Sequence, residues 1–250
     1  MHIERRPLQG VLNILSFNRH FYYYGLAGLV LLMVVGWAIQ LPTLIIMLVV
    51  AAFAYGLLMP LIISAYVYDL SGYYNMEWLR PYVRSNISAL RVLNINAGFD
   101  ETSHLLANQL PGAEIQAYDF YDDSRHTEPA IVRARKVSLV YPNTKPIVYN
   151  KLPDKDNTID IVFVLSAAHE IRRLEEKVAF LSECRRVCKP TGQLIMVEHL
   201  RDWPNFVAFT IGFTHFFSSK VWRSALLEAG FSHLTEEKFT PFMSIFNSKP

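Results

Sequence analysis

Residues 91–100 read RVLNINAGFD. Val92, Leu93 and Ile95 make a short apolar run of the kind that forms a buried strand. It passes through Gly98 into a helical pattern from Glu101 to Leu110. A strand, a tight turn and a helix in that order hold nucleotides when the turn carries a Gly-x-Gly-x-Gly run, because glycine tolerates positive φ and lets a ligand approach the backbone. Gly98 is the only glycine in this stretch.

Downstream, strands and helices alternate. AEIQAYD (113–119), KPIVYN (145–150), IDIVFVLS (159–166) and GQLIMVEHL (192–200) read as strands. TEPAIVRARKVSLV (127–140), EIRRLEEKVAFLSECRRVCK (170–189) and SSKVWRSALLEAGF (218–231) read as helices, the last with Ser219 as N-cap and Gly230 just past its end. Strands around SHLTEEKFT and FMSIFNS close the chain. This alternation predicts an α/β fold with a parallel sheet covered on both faces. Ligands of such sheets lie at the carboxyl ends of the strands.

Upstream, no Asp, Glu, Lys, Arg or His occurs in the 48 residues from Phe21 to Tyr68. A bilayer core of ~30 Å takes about 20 apolar residues per helix, so this length suits two spans. They are expected at about Tyr22–Gln40 and Thr43–Tyr68, with a turn at Pro42 and a kink at Pro60. The apolar run starts too late and lasts too long for a cleaved signal peptide. Arg5, Arg6 and Arg19 before it, and Arg80, Arg84 and Arg91 after it, place both ends in the cytoplasm. The expected order is a cytosolic arm (1–20), a transmembrane hairpin (21–68), a juxtamembrane linker (69–89) and the α/β domain (90–250). Trp78 and Tyr82 in the linker either sit at headgroup depth or pack on the domain. Acids and bases balance beyond Tyr68, which argues against a nucleic-acid partner. Cys184 and Cys188 stand four apart in a helical pattern and read as packing thiols.

Four stretches in this order resemble the class I S-adenosylmethionine-dependent methyltransferases, and within them the small-molecule, quinone-biosynthesis-like branch. They are RVLNINAGFD, AEIQAYD, LPDKDNTIDIVFVLSAAHEI and RRVCKPTGQLIMVEHL. The resemblance implies a Rossmann-like seven-stranded methyltransferase sheet, mostly parallel with an antiparallel last strand, and S-adenosylmethionine as cofactor. It sets Asn96 and Asp100 where the family has glycines, and Asn94 where it has a leading acid. Asp119 becomes the acid on the ribose hydroxyls and Phe120 and Tyr121 the flanks of the adenine. Asn150 and Ser166 complete the expected cofactor set. Asp119 also stands 21 positions after Gly98, close to the ~20 expected of a ribose-binding acid.

Methyl transfer from a sulfonium needs alignment of the acceptor and removal of its proton. His169 and Glu170 after the fourth strand, and His199 with Glu198 and Asp202 after the fifth, are the candidates, with His215 in the insert that follows. Glu170 also suits a helix first turn on dipole grounds alone. No tight ligand spacing occurs, so no metal is expected. The insert DWPNFVAFTIGFTHFFSSK (202–220) is an aromatic lid, core packing or a third contact with the bilayer. SRHTEPAIVRAR (124–135) is a solvated helix face or a cover for the site. Together these readings predict a membrane-anchored methyltransferase acting on a hydrophobic, lipid-like small molecule: a quinone, polyprenyl phenol, pigment or lipid. The alternative is a degenerate methyltransferase fold kept as a membrane scaffold or partner-binding protein.

Overall fold

A computed structural model describes residues 5–83, 89–125 and 128–250. Arg84, and His126 and Thr127 of the 124–135 segment, lie outside the described residues.

The sheet has seven strands: β1 (Arg91–Asn96), β2 (Glu114–Asp119), β3 (Lys145–Pro146), β4 (Ile159–Leu165), β5 (Cys188–His199), β6 (Ser232–Thr240) and β7 (Met243–Lys249). Their order is β3-β2-β1-β4-β5-β7-β6. β1 to β5 pair in parallel, and β7 runs antiparallel to both β5 and β6. The expected sheet is therefore present, antiparallel last strand included. β4 and the second half of β5 are almost wholly buried, as apolar runs covered on both faces must be. β3 is only two residues long. Pro146 cannot donate to a ladder, and an isolated bridge between Val148 and Lys151 folds the rest of the expected strand into a turn.

One face of the sheet packs on α6 (Leu174–Val187) and α8 (Ser219–Glu228), with Phe180, Leu181, Trp222 and Leu226 buried there. The helix expected from Glu170 starts four residues later, because residues 168–170 wind as a 3-10 turn and Arg173 is extended. The α8 N-cap is Ser218; Ser219, one residue inside, donates its hydroxyl to Glu236 at 2.5 Å instead. Cys184 and Cys188 are buried free thiols in this layer.

The opposite face is covered by α4 (Ser103–Gln109) and the segment after the hairpin. Tyr73, Met76 and Leu79 are buried there, Trp78 donates to the Tyr73 carbonyl at 2.9 Å, and Tyr82 reaches Glu237 at 2.9 Å. Packing on the domain thus describes this segment better than a linker. Phe163 of β4 lies fully buried in the same layer. Phe163→Ala is expected to cost about 3–5 kcal/mol of stability, read as a fall in the unfolding midpoint.

The hairpin consists of α2 (Arg19–Ala38) and α3 (Thr43–Ala65). Both are long and apolar enough to cross a membrane, and only Gly36 and Ser64 are buried in them. α3 runs unbroken past Pro60; its winding changes only at residues 66–70, a π-helical turn. The described part of the N-terminal arm, from residue 5 on, is packed. Residues Gln9–Phe17 form a helix, α1, whose start is tied to the π-turn by Asp69, which accepts from the Gly10 and Val11 amides at 2.7 and 2.9 Å. Gly10 is required there: a Cβ would lie 2.4 Å from the Tyr68 Cβ.

Candidate active site

β1 ends in the turn that carries Gly98, with φ +94°. Around it the polar side chains turn inward. The Gly98 amide donates to Asn96 Oδ1 at 3.0 Å. Asp100 Oδ1 accepts from the Thr102 and Ser103 amides at 3.0 and 2.9 Å and so caps α4. Asn94 Nδ2 donates to the Thr102 and Ser103 hydroxyls at 2.9 and 2.8 Å. One atom of each side chain stays buried and unpartnered: Asn94 Oδ1, Asn96 Nδ2 and Asp100 Oδ2. Burial pushes the Asp100 carboxyl up, against the pull of its hydrogen bonds from Ser103 and Thr102.

Asp119 ends β2 beside this turn. Its Oδ1 accepts from the Tyr121 amide at 2.9 Å and its Oδ2 meets Arg135 at 2.5 Å. Arg135 belongs to α5 (Pro129–Val137), which opens on Pro129 as expected, and its guanidinium lies 4.4 Å from the Tyr121 ring centroid. The Tyr121 ring covers Gly98 so closely that a Cβ there would lie 2.8 Å from its Cδ2. Next to it opens a cavity of about 770 Å³ lined by Phe120, Tyr121, Arg135, Tyr149 and Glu170 among others. Asn150 is exposed in the turn beyond Tyr149, and Ser166, with φ +52°, lies 3.4 Å from the Tyr73 hydroxyl. Neither lines the cavity.

At the carboxyl edge of β4 and β5 the structure joins three of the four predicted catalytic residues. His169 Nδ1 lies 2.7 Å from Glu198 Oε2, and its Nε2 lies 3.4 Å from Glu170 Oε1. His215 Nε2 approaches the same Glu170 oxygen at 3.8 Å. Glu198 is fully buried and also accepts from the Ala168 amide at 2.8 Å. Burial alone would pull the His169 ring down, but Glu198 and Glu170 outweigh it and carry its pKa up to about 10. Burial opposes ionisation of Glu170 as well, yet hydrogen bonds from His169 and His215 hold its carboxyl well below the usual range. The His169 ring is therefore held well above the ordinary imidazole value.

His199 is not part of this cluster. Successive strand residues face opposite sides, so Glu198 points to the α6 face and His199 to the other. There His199 Nε2 meets the Tyr68 hydroxyl at 2.9 Å, Nδ1 lies 2.9 Å from the Phe242 carbonyl, and the ring stacks on Phe216. Burial pushes its pKa down to about 4, so the ring is neutral at pH 7. Asp202 is the N-cap of α7 (Trp203–Phe209), accepting from Asn205, and pairs with Lys238 at 2.6 Å. Sequence reasoning missed Arg135 as the partner of Asp119 and Tyr121 as the cover of Gly98. No periodicity signals either contact.

Residues 93–196 match the profile of a methyltransferase domain family. Over those residues the chain is similar to a methyltransferase domain. That region has the fold of S-adenosylmethionine-dependent methyltransferases. Among solved structures, a SAM-dependent methyltransferase from Aquifex aeolicus superposes with TM-score 0.50 at 18% identity, covering 72% of this chain and 90% of that one. The CMeT domain of a citrinin polyketide synthase gives TM-score 0.50 at 17% identity, over 76% and 55%. Phosphoethanolamine N-methyltransferase 2 of Haemonchus contortus, solved with S-adenosyl-L-methionine, gives 0.50 at 12%, over 70% and 51%. A highly reducing polyketide synthase of Pyrenophora dematioidea is 25% identical over 164 residues, 57% of this chain. The chain spans 6% of that relative's length.

The turn at Gly98 offers donors and acceptors that suit S-adenosylmethionine. Three buried polar atoms of the turn lack partners, Gly98 supplies close approach, and Asp119 stands at the end of β2. The fit requires Tyr121 to leave Gly98 and the Asp119–Arg135 pair to open.

Proposed function

We propose that the protein transfers a methyl group from S-adenosylmethionine to a hydrophobic small molecule held at a membrane. The observation that carries this reading is the His169–Glu198 pair, with Glu170, at the cavity rim of a methyltransferase domain. S-adenosylmethionine, when bound, supplies the electrophilic methyl. Asn94, Asn96, Gly98, Asp100 and Asp119 would hold it, with Phe120 in the cavity wall. His169, oriented by Glu198 through Nδ1, takes the proton of an acceptor O–H or activated C–H; Glu170 steadies the charged ring. His215 closes the same corner from the insert. His199 acts only through packing.

Membrane attachment is part of the same reading. It is supported by two exposed apolar helices and by a length. The Tyr55 hydroxyl donates to the Val207 carbonyl at 2.5 Å, so α7 rests against the middle of α3. From Thr43 to Tyr55 α3 rises only about 18 Å, short of the ~30 Å of a bilayer core. A hairpin that crosses the bilayer therefore draws α7 and the 3-10 turn at 210–215 into the apolar layer. Their exposed Trp203, Phe206, Val207 and Ile211 suit that depth. Arg6 and Arg19 favour a cytoplasmic domain; Arg5 and Arg91 are paired with Glu101 and Glu114. In liposomes, nitroxides on Leu48→Cys and Ile211→Cys are both expected to collide with oxygen rather than with a water-soluble nickel chelate. An aqueous signal at Leu48 would remove the hairpin from the membrane.

A second reading, a degenerate fold kept as a scaffold, is favoured by Tyr121 over Gly98 and Arg135 on Asp119. Calorimetry on the full chain in nanodiscs decides between them. Binding of S-adenosylmethionine or its demethylated product supports transfer, as does a gain of one CH2 in membrane extracts. Absence of binding at millimolar ligand supports the scaffold.

A further inference from the structure

His169 and Glu170 sit on the 3-10 turn after β4, and His215 lies 45 positions further along, at the end of the insert. The fold turns all three into one corner, where one ligand atom from each lies within 4.8 Å of the others. Glu170 Oε1 is 3.4 Å from His169 Nε2 and 3.8 Å from His215 Nε2. Two ligands bound at ~2.1 Å with a tetrahedral angle stand about 3.4 Å apart. The Glu170–His169 spacing matches that value, and the Glu170–His215 spacing lies slightly above it.

The outer shell is built as well. A metal-bound histidine donates its other ring nitrogen to a carboxylate or carbonyl, which fixes its tautomer and orientation. Here both histidines turn Nε2 toward Glu170, and both present Nδ1 to a second carboxylate. For His169 it is the fully buried Glu198 at 2.7 Å; for His215 it is Glu128 at 3.8 Å. Arg172 ties the two segments together, donating to the His169 carbonyl at 3.0 Å and the His215 carbonyl at 2.7 Å. All three ligand side chains are mostly shielded from solvent, and Glu170 also lines the cavity, which gives the site an open side.

The geometry points to a divalent transition-metal site formed by His169 Nε2, Glu170 and His215 Nε2. Two imidazoles and one carboxylate select zinc, iron, cobalt or manganese over magnesium or calcium, which prefer oxygen alone. Three protein ligands with open positions make it a reactive site rather than a structural one. The ion replaces the proton on His169 Nε2. In the metal-loaded site His169 is a ligand and not the base: the ion binds the acceptor's oxygen as a Lewis acid and lowers its pKa so that the proton passes to water, which narrows the acceptor class to molecules with a hydroxyl, enol or ketone oxygen at or next to the methylated atom. This use rests on the methyltransferase reading; the binding itself does not.

The test is titration of chelator-treated full-length protein with cobalt(II), followed by its visible absorption, with S-adenosylmethionine calorimetry on the same preparation. One ion per chain with a mixed nitrogen–oxygen spectrum is expected. Glu170→Gln and His215→Ala should abolish that spectrum, and Glu198→Gln should weaken affinity ~10–100-fold. Glu128→Gln, at an exposed position that leaves the core untouched, should weaken binding in the same direction. Absence of cobalt binding, or binding unchanged in all four variants, overturns the site. Cobalt binding without cofactor binding sinks the methyltransferase reading alone; cofactor binding without cobalt sinks this inference alone.

Discussion

Replacing His169 by alanine is expected to lower methyl transfer between ~100-fold and ~10,000-fold, the usual range for loss of a positioned proton acceptor. Affinity for S-adenosylmethionine should stay within about twofold, because His169 stands on the acceptor side of the sheet and not against Gly98. Single-turnover rates and calorimetry separate the two effects. An unchanged rate in His169→Ala would take the proton-transfer role away from this pair. The pH dependence sharpens the test. With its pKa carried up to about 10, the ring is charged at neutrality, and its neutral form, the one that accepts a proton, grows as pH rises. The rate of metal-free enzyme should therefore climb through the neutral range and level near pH 10. The linked stability runs the other way. A raised folded-state pKa contributes stability that is fully present below the unfolded value near 6.5 and is lost as pH rises toward 10. His169→Gln should remove that alkaline loss from the thermal unfolding curve.

Asp119→Ala is expected to weaken S-adenosylmethionine binding about 100-fold. Two hydroxyl hydrogen bonds to a carboxylate are worth about 3 kcal/mol together, and ~1.4 kcal/mol is tenfold in affinity. The same carboxylate is held by Arg135 at 2.5 Å, so Arg135→Ala gives the complementary result. Freed of its partner, Asp119 needs no rearrangement, and affinity should rise severalfold. Calorimetry on both variants, with circular dichroism to verify folding, is the measurement. Wild-type affinity in Asp119→Ala would place the ribose elsewhere.

The sheet could be read directly from the chain because burial on both faces imposes a visible pattern. IDIVFVL and GQLIMVEH admit few other structures, and their order among helices leaves the parallel topology. His199 was legible in principle too: it follows Glu198 directly, and a strand turns neighbours to opposite faces. A place at the strand tip alone does not carry that period. The union of His169 and Glu170 with His215 could not be read, because it depends on how the aromatic insert folds back, and no local periodicity records that. Nor could the inward turn of Asn94, Asn96 and Asp100. Asn and Asp tolerate positive φ better than most residues, yet Gly98 alone in the turn adopts it, and Asn94, Asn96 and Asp100 bond to neighbouring backbone and hydroxyl groups.

Helix α1 joins the hairpin to the cofactor turn. Only Asn18 separates it from α2. Arg5, Gln9 and Asn13 all reach the Glu101 carboxylate just past Gly98, and Phe17 meets Phe99 edge-on at 5.3 Å. Arg133 of α5, two residues before the partner of Asp119, bonds the Phe17 carbonyl and His20. A change of tilt in the hairpin would thus be transmitted as torque on the loop beneath the sulfonium. Were the hairpin to span a bilayer, tilting of its helices to match the apolar layer would couple lipid thickness to that loop.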